Sequence, residues 1–332
     1  MKNSARGYLP RDKDILSHEH GRILTEEISN LIITMASNAH LRRALHYVFK
    51  IPDRSLTMRF YTDVLLMRVL RHEEFEKGCL AACNGRYDGF WSKTMVGYGS
   101  EDDHFAMELI YNYGVDKYKK GNEFKGIVIQ MSNVLKRAQE NRWTVQQEND
   151  KSYVEAPGGF KFYVEEDSSE RKDPVRQVIY SCTNVEKTRR FWVTMLGCEV
   201  VESGDDFLEV AYDKSKTSLR FEKIFEPIDR GEAYGRVAFA CPRNQLPEIE
   251  AQVKNADIGT VITPLVSLET PGKASVEVVI LGDPDGHEIC FVGDEGFHEL
   301  SKEDPEASQV LQEKMKEYDA YVEKVQRRDR HF

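Results

Sequence analysis

Runs in which apolar and polar residues alternate, each followed by a polar turn and then by apolar residues at helical spacing, recur along this chain. LHYVFKI (45–51) and QVIYSC (177–182) have the alternation of strands. Behind them, PDRSLTMRFYTDVLLMRVL (52–70) and TNVEKTRRFWVTMLGCEVV (183–201) read as turn and amphipathic helix, with Phe60 over Phe191, Tyr61 over Trp192 and Leu65 over Leu196. A second matched set lies between and after these copies. FKGIVIQ (124–130) resembles YGRVAFA (234–240), and APGGFKFYV (156–164) resembles DPDGHEICFV (283–292), each closing strand set off by a Pro-x-Gly turn. VLKRAQENRW (134–143) and LPEIEAQVKN (246–255) supply the helices of the second and fourth units. The pattern predicts an α+β chain in which a βαβββ module is repeated four times.

The charged, Ser-containing stretch EEDSSERKDP (165–174) suits a solvated linker. It divides the chain into a first domain at 41–168 and a second at 174–298. Residues 1–40 form an extension in which LTEEISNLIITM (24–35) has helical spacing, either a short docking helix or an irregular lead-in. The extension has no apolar core after its basic start, and it carries Asp12, Asp14, Glu19, Glu26 and Glu27. Neither a secretory signal nor an acid-poor mitochondrial presequence fits well, so a cytoplasmic protein is expected and a mitochondrial one stays open. From 299 to 332, sparse Leu, Met, Tyr and Val predict a peripheral helical tail with a solvated basic end.

Composition narrows the function. With 46 basic and 56 acidic residues the net charge is −10, which argues against nucleic acid as partner, and no apolar run approaches the roughly 20 residues of a membrane span. A small-molecule ligand is expected, with a protein partner as the other class. None of the six cysteines forms a CxxC pair, so Cys79 and Cys83 in CLAAC read as two unpaired structural thiols. The acidic stretches HEEFEKG (72–78) and GSEDDH (99–104) read as solvated loop faces. The stretch AACNGRYDGFWSKTM (81–95) reads as a long loop, either a lid or structural cover.

The segment HFAMELIYNYGVDKYKKGNEF (104–124), with HYVFK, RFYTDVL and DPDGHEICFVGDEGF, resembles the glyoxalase domain-containing protein 4 family over roughly 43–300. That family is a tandem-repeat branch of the glyoxalase I-like, vicinal oxygen chelate (VOC) superfamily. The resemblance implies paired βαβββ modules around a Zn- or Ni-class divalent metal, glutathione as co-substrate, and lactoylglutathione lyase-type isomerisation of a methylglyoxal hemithioacetal. A metal with open positions polarises a carbonyl and acidifies the adjacent C–H, and a carboxylate then moves the proton.

Carried over residue by residue, the resemblance places His46 and Glu108 as metal ligands in the first module, with Glu108 also the catalytic base. The second module has Gly126 and Tyr163 at these places, the third Gln177 and Arg220, and the fourth Arg236 for a His and Cys290 for a Glu. The first module is expected to face the fourth and the second to face the third. One cavity would then hold His46, Glu108, Arg236 and Cys290, the other Gly126, Tyr163, Gln177 and Arg220. In the first, His46, Glu108 and Cys290 form a three-ligand set that Arg236 disfavours, or Arg236 pairs with Glu108 instead. Glu288 could replace Cys290 only through a register slip, and His287 points to the opposite face. Lys50 and Asn112 stand where the family contacts the glutamyl end of glutathione, and Arg236 joins them as a substrate-binding candidate. The alternative reading is a catalytically inactive binding protein on this fold, for a small anionic ligand or a protein partner.

Overall fold

The computed structural model describes residues 38–166, 171–270 and 273–329, with side chains to Asp319; the helix expected at 24–35 lies outside them. Module one runs β1 (Arg43–Lys50), α1 (Arg54–Arg59), β2 (Arg68–Phe75), β3 (Trp91–Gly97) and β4 (Ala106–Asn112). Module two has β5 (Phe124–Gln130), α2 (Val134–Glu140), β6 (Val145–Glu148), β7 (Lys151–Ala156) and β8 (Phe160–Glu165). Module three has β9 (Val175–Cys182), α3 (Val185–Arg189), β10 (Glu199–Ser203), β11 (Phe207–Ala211) and β12 (Ser218–Lys223). Module four has β13 (Arg236–Cys241), α4 (Leu246–Lys254), β14 (Thr260–Leu268), β15 (Val276–Gly282) and β16 (Glu288–Gly293), followed by α5 (Asp294–Leu300) and α6 (Ala307–Asp329). The four βαβββ modules are therefore as the periodicity predicts.

Local chemistry repeats with the sequence. The Asp53 carboxylate accepts from the Leu56 N–H to cap α1, and Asn184 accepts from Lys187 N–H to cap α3. Both helices end in a wide π-helical turn, Phe60–Val64 and Arg190–Met195. The chain then leaves in a left-handed conformation, at Gly197 with φ 71° in one copy and at the exposed Leu66 with φ 57° in the other. A side chain there is strained, which glycine avoids.

The sixteen strands form two eight-stranded sheets, each joining a module from either half of the chain. In the first sheet β1 pairs antiparallel with β13, uniting modules one and four, and in the second β5 pairs antiparallel with β9, uniting modules two and three. Aromatic side chains fill the space between the sheets and the helices. Phe60 lies 5.3 Å from Phe162, Phe49 is 4.6 Å from Phe160, and Trp192 is 5.3 Å from Phe221. Burying each such ring stabilises the fold by about 1.5–3 kcal/mol.

Three expectations need correction. HEEFEKG is not a solvated loop: its first residues belong to β2, and His72 and Glu73 are buried. Residues 91–95 lie in β3, which shortens the loop ahead of it to 76–90. Its cysteines are also paired, Cys79 being bonded to Cys83, because the turn folds back and brings their Cα atoms to 5.5 Å. The tail docks through α6, where Leu311 is buried and Tyr318 packs 5.1 Å from Tyr113, with the Arg54 guanidinium 4.7 Å from the Tyr113 ring. No helix among the described residues is long and apolar enough to cross a membrane.

Candidate functional site

The β1–β13 seam carries a local two-fold relation. Along β1 and β4, His46 lies opposite Ala106 and Val48 opposite Glu108; along β13 and β16, Arg236 lies opposite Glu288 and Ala238 opposite Cys290. Arg236 therefore occupies the place of His46 and Cys290 that of Glu108, with no slip of register. The same relation puts Glu288 where module one has Ala106. His46, Glu108, Arg236 and Cys290 all line one cavity of about 520 Å³, whose wall includes Trp91 stacked on Phe75 at 4.1 Å.

Module one keeps an ordered pair. His46 Nε2 lies 3.4 Å from a Glu108 oxygen, and its Nδ1 lies 2.6 Å from Glu101. Glu101 belongs to the stretch read from sequence as a solvated loop, yet it is 2% exposed. Burial would raise its pKa, but the Arg71 guanidinium at 2.8 Å and His46 together hold it below the usual carboxylate range. An ionised Glu101 accepts from Nδ1–H, which leaves Nε2 as the ring nitrogen turned toward Glu108. Nothing in the local sequence separates Glu101 from Asp102 and Asp103; only its inward aim does.

Module four is built differently. Arg236 does not pair with Glu108. Its Nε and Nη2 donate to Glu288 at 3.0 and 2.6 Å, and Nη2 also donates to the Ala81 carbonyl at 2.9 Å. Against burial, Arg236 and Arg230 hold the Glu288 carboxyl below its ordinary range, and Arg230 donates to it at 2.9 Å. The correction has a plain cause: the adjacent strand supplies a carboxylate directly opposite Arg236, and two guanidinium nitrogens converge on one of its oxygens while Arg230 takes the other. Desolvation pushes the Cys290 thiol up to about 12, with Arg236 opposing, so it stays protonated near neutrality.

These residues do not fit the metal that the fold family implies. His46 and Glu108 are two good donors, but the facing module offers a single thiol and a guanidinium already tied into an ion pair. Among the described residues no three His, Cys, Asp or Glu side chains gather closely enough to hold a metal ion. The glutathione-contact candidates are also engaged. Lys50 Nζ donates to the Tyr234 carbonyl at 2.7 Å and sits 3.4 Å above the Tyr234 ring, and desolvation lowers its pKa to about 7. Asn112 donates to the Asn84 carbonyl and to Tyr118, both at 3.1 Å. Neither lines the cavity.

The second cavity, about 570 Å³, is lined by Tyr163 but by none of Gly126, Gln177 and Arg220. A Cβ at Gly126 would meet the Tyr163 ring at 2.7 Å, Gln177 is buried, and Arg220 stacks 3.8 Å from Phe207 while donating to Glu222. His287 does point away from the first cavity, with Nε2 2.7 Å from the Ser181 carbonyl.

Residues 184–300 match the model of the C-terminal domain of glyoxalase domain-containing protein 4-like proteins. Mouse glyoxalase domain-containing protein 4 is 48% identical over 277 residues, spanning 82% of this chain and 93% of its own, and Caenorhabditis elegans glyoxalase 1 is 44% identical over 84% and 98%. A crystal structure of a V278E mutant of Zea mays glyoxalase I superposes with a TM-score of 0.68 at 21% identity, covering 80% of this chain and 98% of that one. With the paired modules, this likeness establishes the glyoxalase I, VOC-type fold, and the chain belongs to the glyoxalase domain-containing protein 4 family.

Proposed function

We propose that this protein is a glyoxalase-like binding protein for a small ligand with an apolar body and an anionic head, and that it lacks lactoylglutathione lyase turnover. The observation that carries this reading is the Arg236–Glu288 pair, which puts a fixed guanidinium where the facing module would otherwise offer a metal ligand. Isomerising a hemithioacetal requires a strong electrophile on the carbonyl oxygens, and His46 with Glu108 alone is a weak substitute. Binding has better support. The cavity is lined mainly by apolar side chains, and Arg71, Lys93 and Arg236 stand on its wall, each with a carboxylate behind it, Glu101, Glu73 and Glu288 in turn.

One observation favours a second reading, metal-dependent lyase activity through His46, Glu108 and Cys290. A buried carboxylate on the remote nitrogen of His46, as Glu101 provides, is the outer support that metal-binding histidines use. Metal content of untagged protein, followed by hemithioacetal isomerisation with zinc, nickel or cobalt added, separates the two. The binding reading expects substoichiometric metal and no turnover, and metal affinity gained in Arg236→His combined with Glu288→Ala. Stoichiometric metal that disappears in His46→Ala, together with turnover, would overturn it.

A further inference from the structure

The cavity wall contains a bonded pair of cysteines that neither the ligand reading nor the lyase reading uses. Cys79 and Cys83 are joined across three intervening residues within loop 76–90. Closing so short a ring removes little freedom from the unfolded chain, and the bond joins no distant elements, so its structural value is small. Both cysteines are half-buried and line the cavity beside Leu80, which is 80% exposed. The other four cysteines are free, and Cys182, Cys198 and Cys241 are buried. A bond accessible to small thiols that holds only its own turn belongs to the labile class of disulfides.

The turn it closes is wired into the site. Between the two cysteines, the Ala81 carbonyl accepts from Arg236 Nη2 at 2.9 Å, and Ala82 is held at φ 49°, a conformation costly for a residue with a Cβ. The Cys79 N–H donates to Asn84 Oδ1 at 3.1 Å, and Asn84 Nδ2 donates in turn to Asn112 Oδ1 at 3.1 Å. The bond therefore closes the turn that holds both Ala82 and the carbonyl that anchors Arg236.

We infer that Cys79 and Cys83 form a thiol–disulfide exchange site in the cavity wall, reduced by low-molecular-weight thiols, and that its state sets the position of the Arg236 anchor. A thiolate attacks one sulfur of the bond, forming a mixed disulfide and releasing the other cysteine. A second thiol displaces the first as a small-molecule disulfide and leaves the second cysteine reduced. Two electrons pass from the two thiols to the protein, and the two thiol protons end on Cys79 and Cys83; the reverse sequence, with a small-molecule disulfide as oxidant, closes the bond again.

The test is differential alkylation of the full chain, purified without reductant, across a series of reduced and oxidised glutathione ratios, with peptide mapping. Four cysteines are expected to react after denaturation in oxidised buffer and six in excess reduced glutathione, the two gained mapping to Cys79 and Cys83. Trp91, on the cavity wall, should change its fluorescence over the same range of ratios, and Cys79→Ser with Cys83→Ser should abolish that change while Cys290→Ser preserves it. Six reactive cysteines at every ratio, or four even in excess glutathione, would overturn the exchange site. Reduction without any Trp91 response would overturn its link to the cavity. Because neither readout needs a metal or a bound ligand, these outcomes stand apart from those that test the function.

Discussion

Stability should respond to pH through two buried groups of opposite sign. His287 is 1% exposed, 4.8 Å from the Tyr180 ring, with Nδ1 3.6 Å from Glu123. Burial lowers its pKa, but Asp283 and Glu123 outweigh it and raise the value from 6.5 to about 9. The native state thus keeps a proton that the unfolded chain releases near 6.5. This contributes about 3 kcal/mol in full below that pH, lost as pH rises through about 9. Lys50 works the other way. Desolvation lowers its pKa from 10.5 to about 7, so above 7 the unfolded chain holds the extra proton and stability rises with pH. Between pH 7 and 9 the two slopes, each about 1.4 kcal/mol per pH unit, cancel. Denaturant unfolding at a series of pH values should therefore give little change for the natural protein. Lys50→Met should lose about 3 kcal/mol from pH 7 to 9, and His287→Gln should gain a similar amount. A flat profile for Lys50→Met over this window would refute the buried imidazolium.

Three further outcomes are expected. Glu288→Gln leaves Arg236 buried without its carboxylate and should cost about 3 kcal/mol or more, read by chemical denaturation; a change within experimental error would mean that the Ala81 carbonyl suffices. Glu101→Gln should release His46 from its single tautomer, seen as a change in the side-chain ¹⁵N shifts of that ring, and unchanged shifts would remove Glu101 from the positioning role. Leu66→Gly, at an exposed left-handed position, should raise stability by up to about 1 kcal/mol, and a loss of that size would show that Leu66 packs more than its exposure implies.

Much of this architecture was legible in the residues because repetition amplifies a weak signal. One alternating segment is ambiguous, but four, spaced by matching helices and Gly turns, fix the module and its order. His46, Glu108, Arg236 and Cys290 do share one cavity, since strand register carries equivalent positions to equivalent places. Partner choice was harder to read. Family equivalence brings Arg236 to the cavity that holds Glu108, whereas its partner is Glu288, a neighbour only across two hydrogen-bonded strands. A signal was present: module four changes His to Arg and, at the Ala106 equivalent, gains Glu, two linked departures from module one. Glu101 and Glu73 were unreadable for a different reason. Composition counts an acidic cluster as solvated, and it takes the inward positions of Arg71 and His46 to draw single carboxylates out of it.

The seam between β1 and β13 joins unlike sequences. Were this cavity formed by two identical chains, any substitution would appear on both walls at once, and an arginine at the His46 position would set two guanidinium groups against each other. Here the two walls differ in sequence, so the His46 side carries Glu101 and Glu108 while the Arg236 side carries its own counter-charge in Glu288. Joining unlike modules in one chain thus removes a symmetry under which one arginine would always face another, and the two ends of the cavity are chemically distinct.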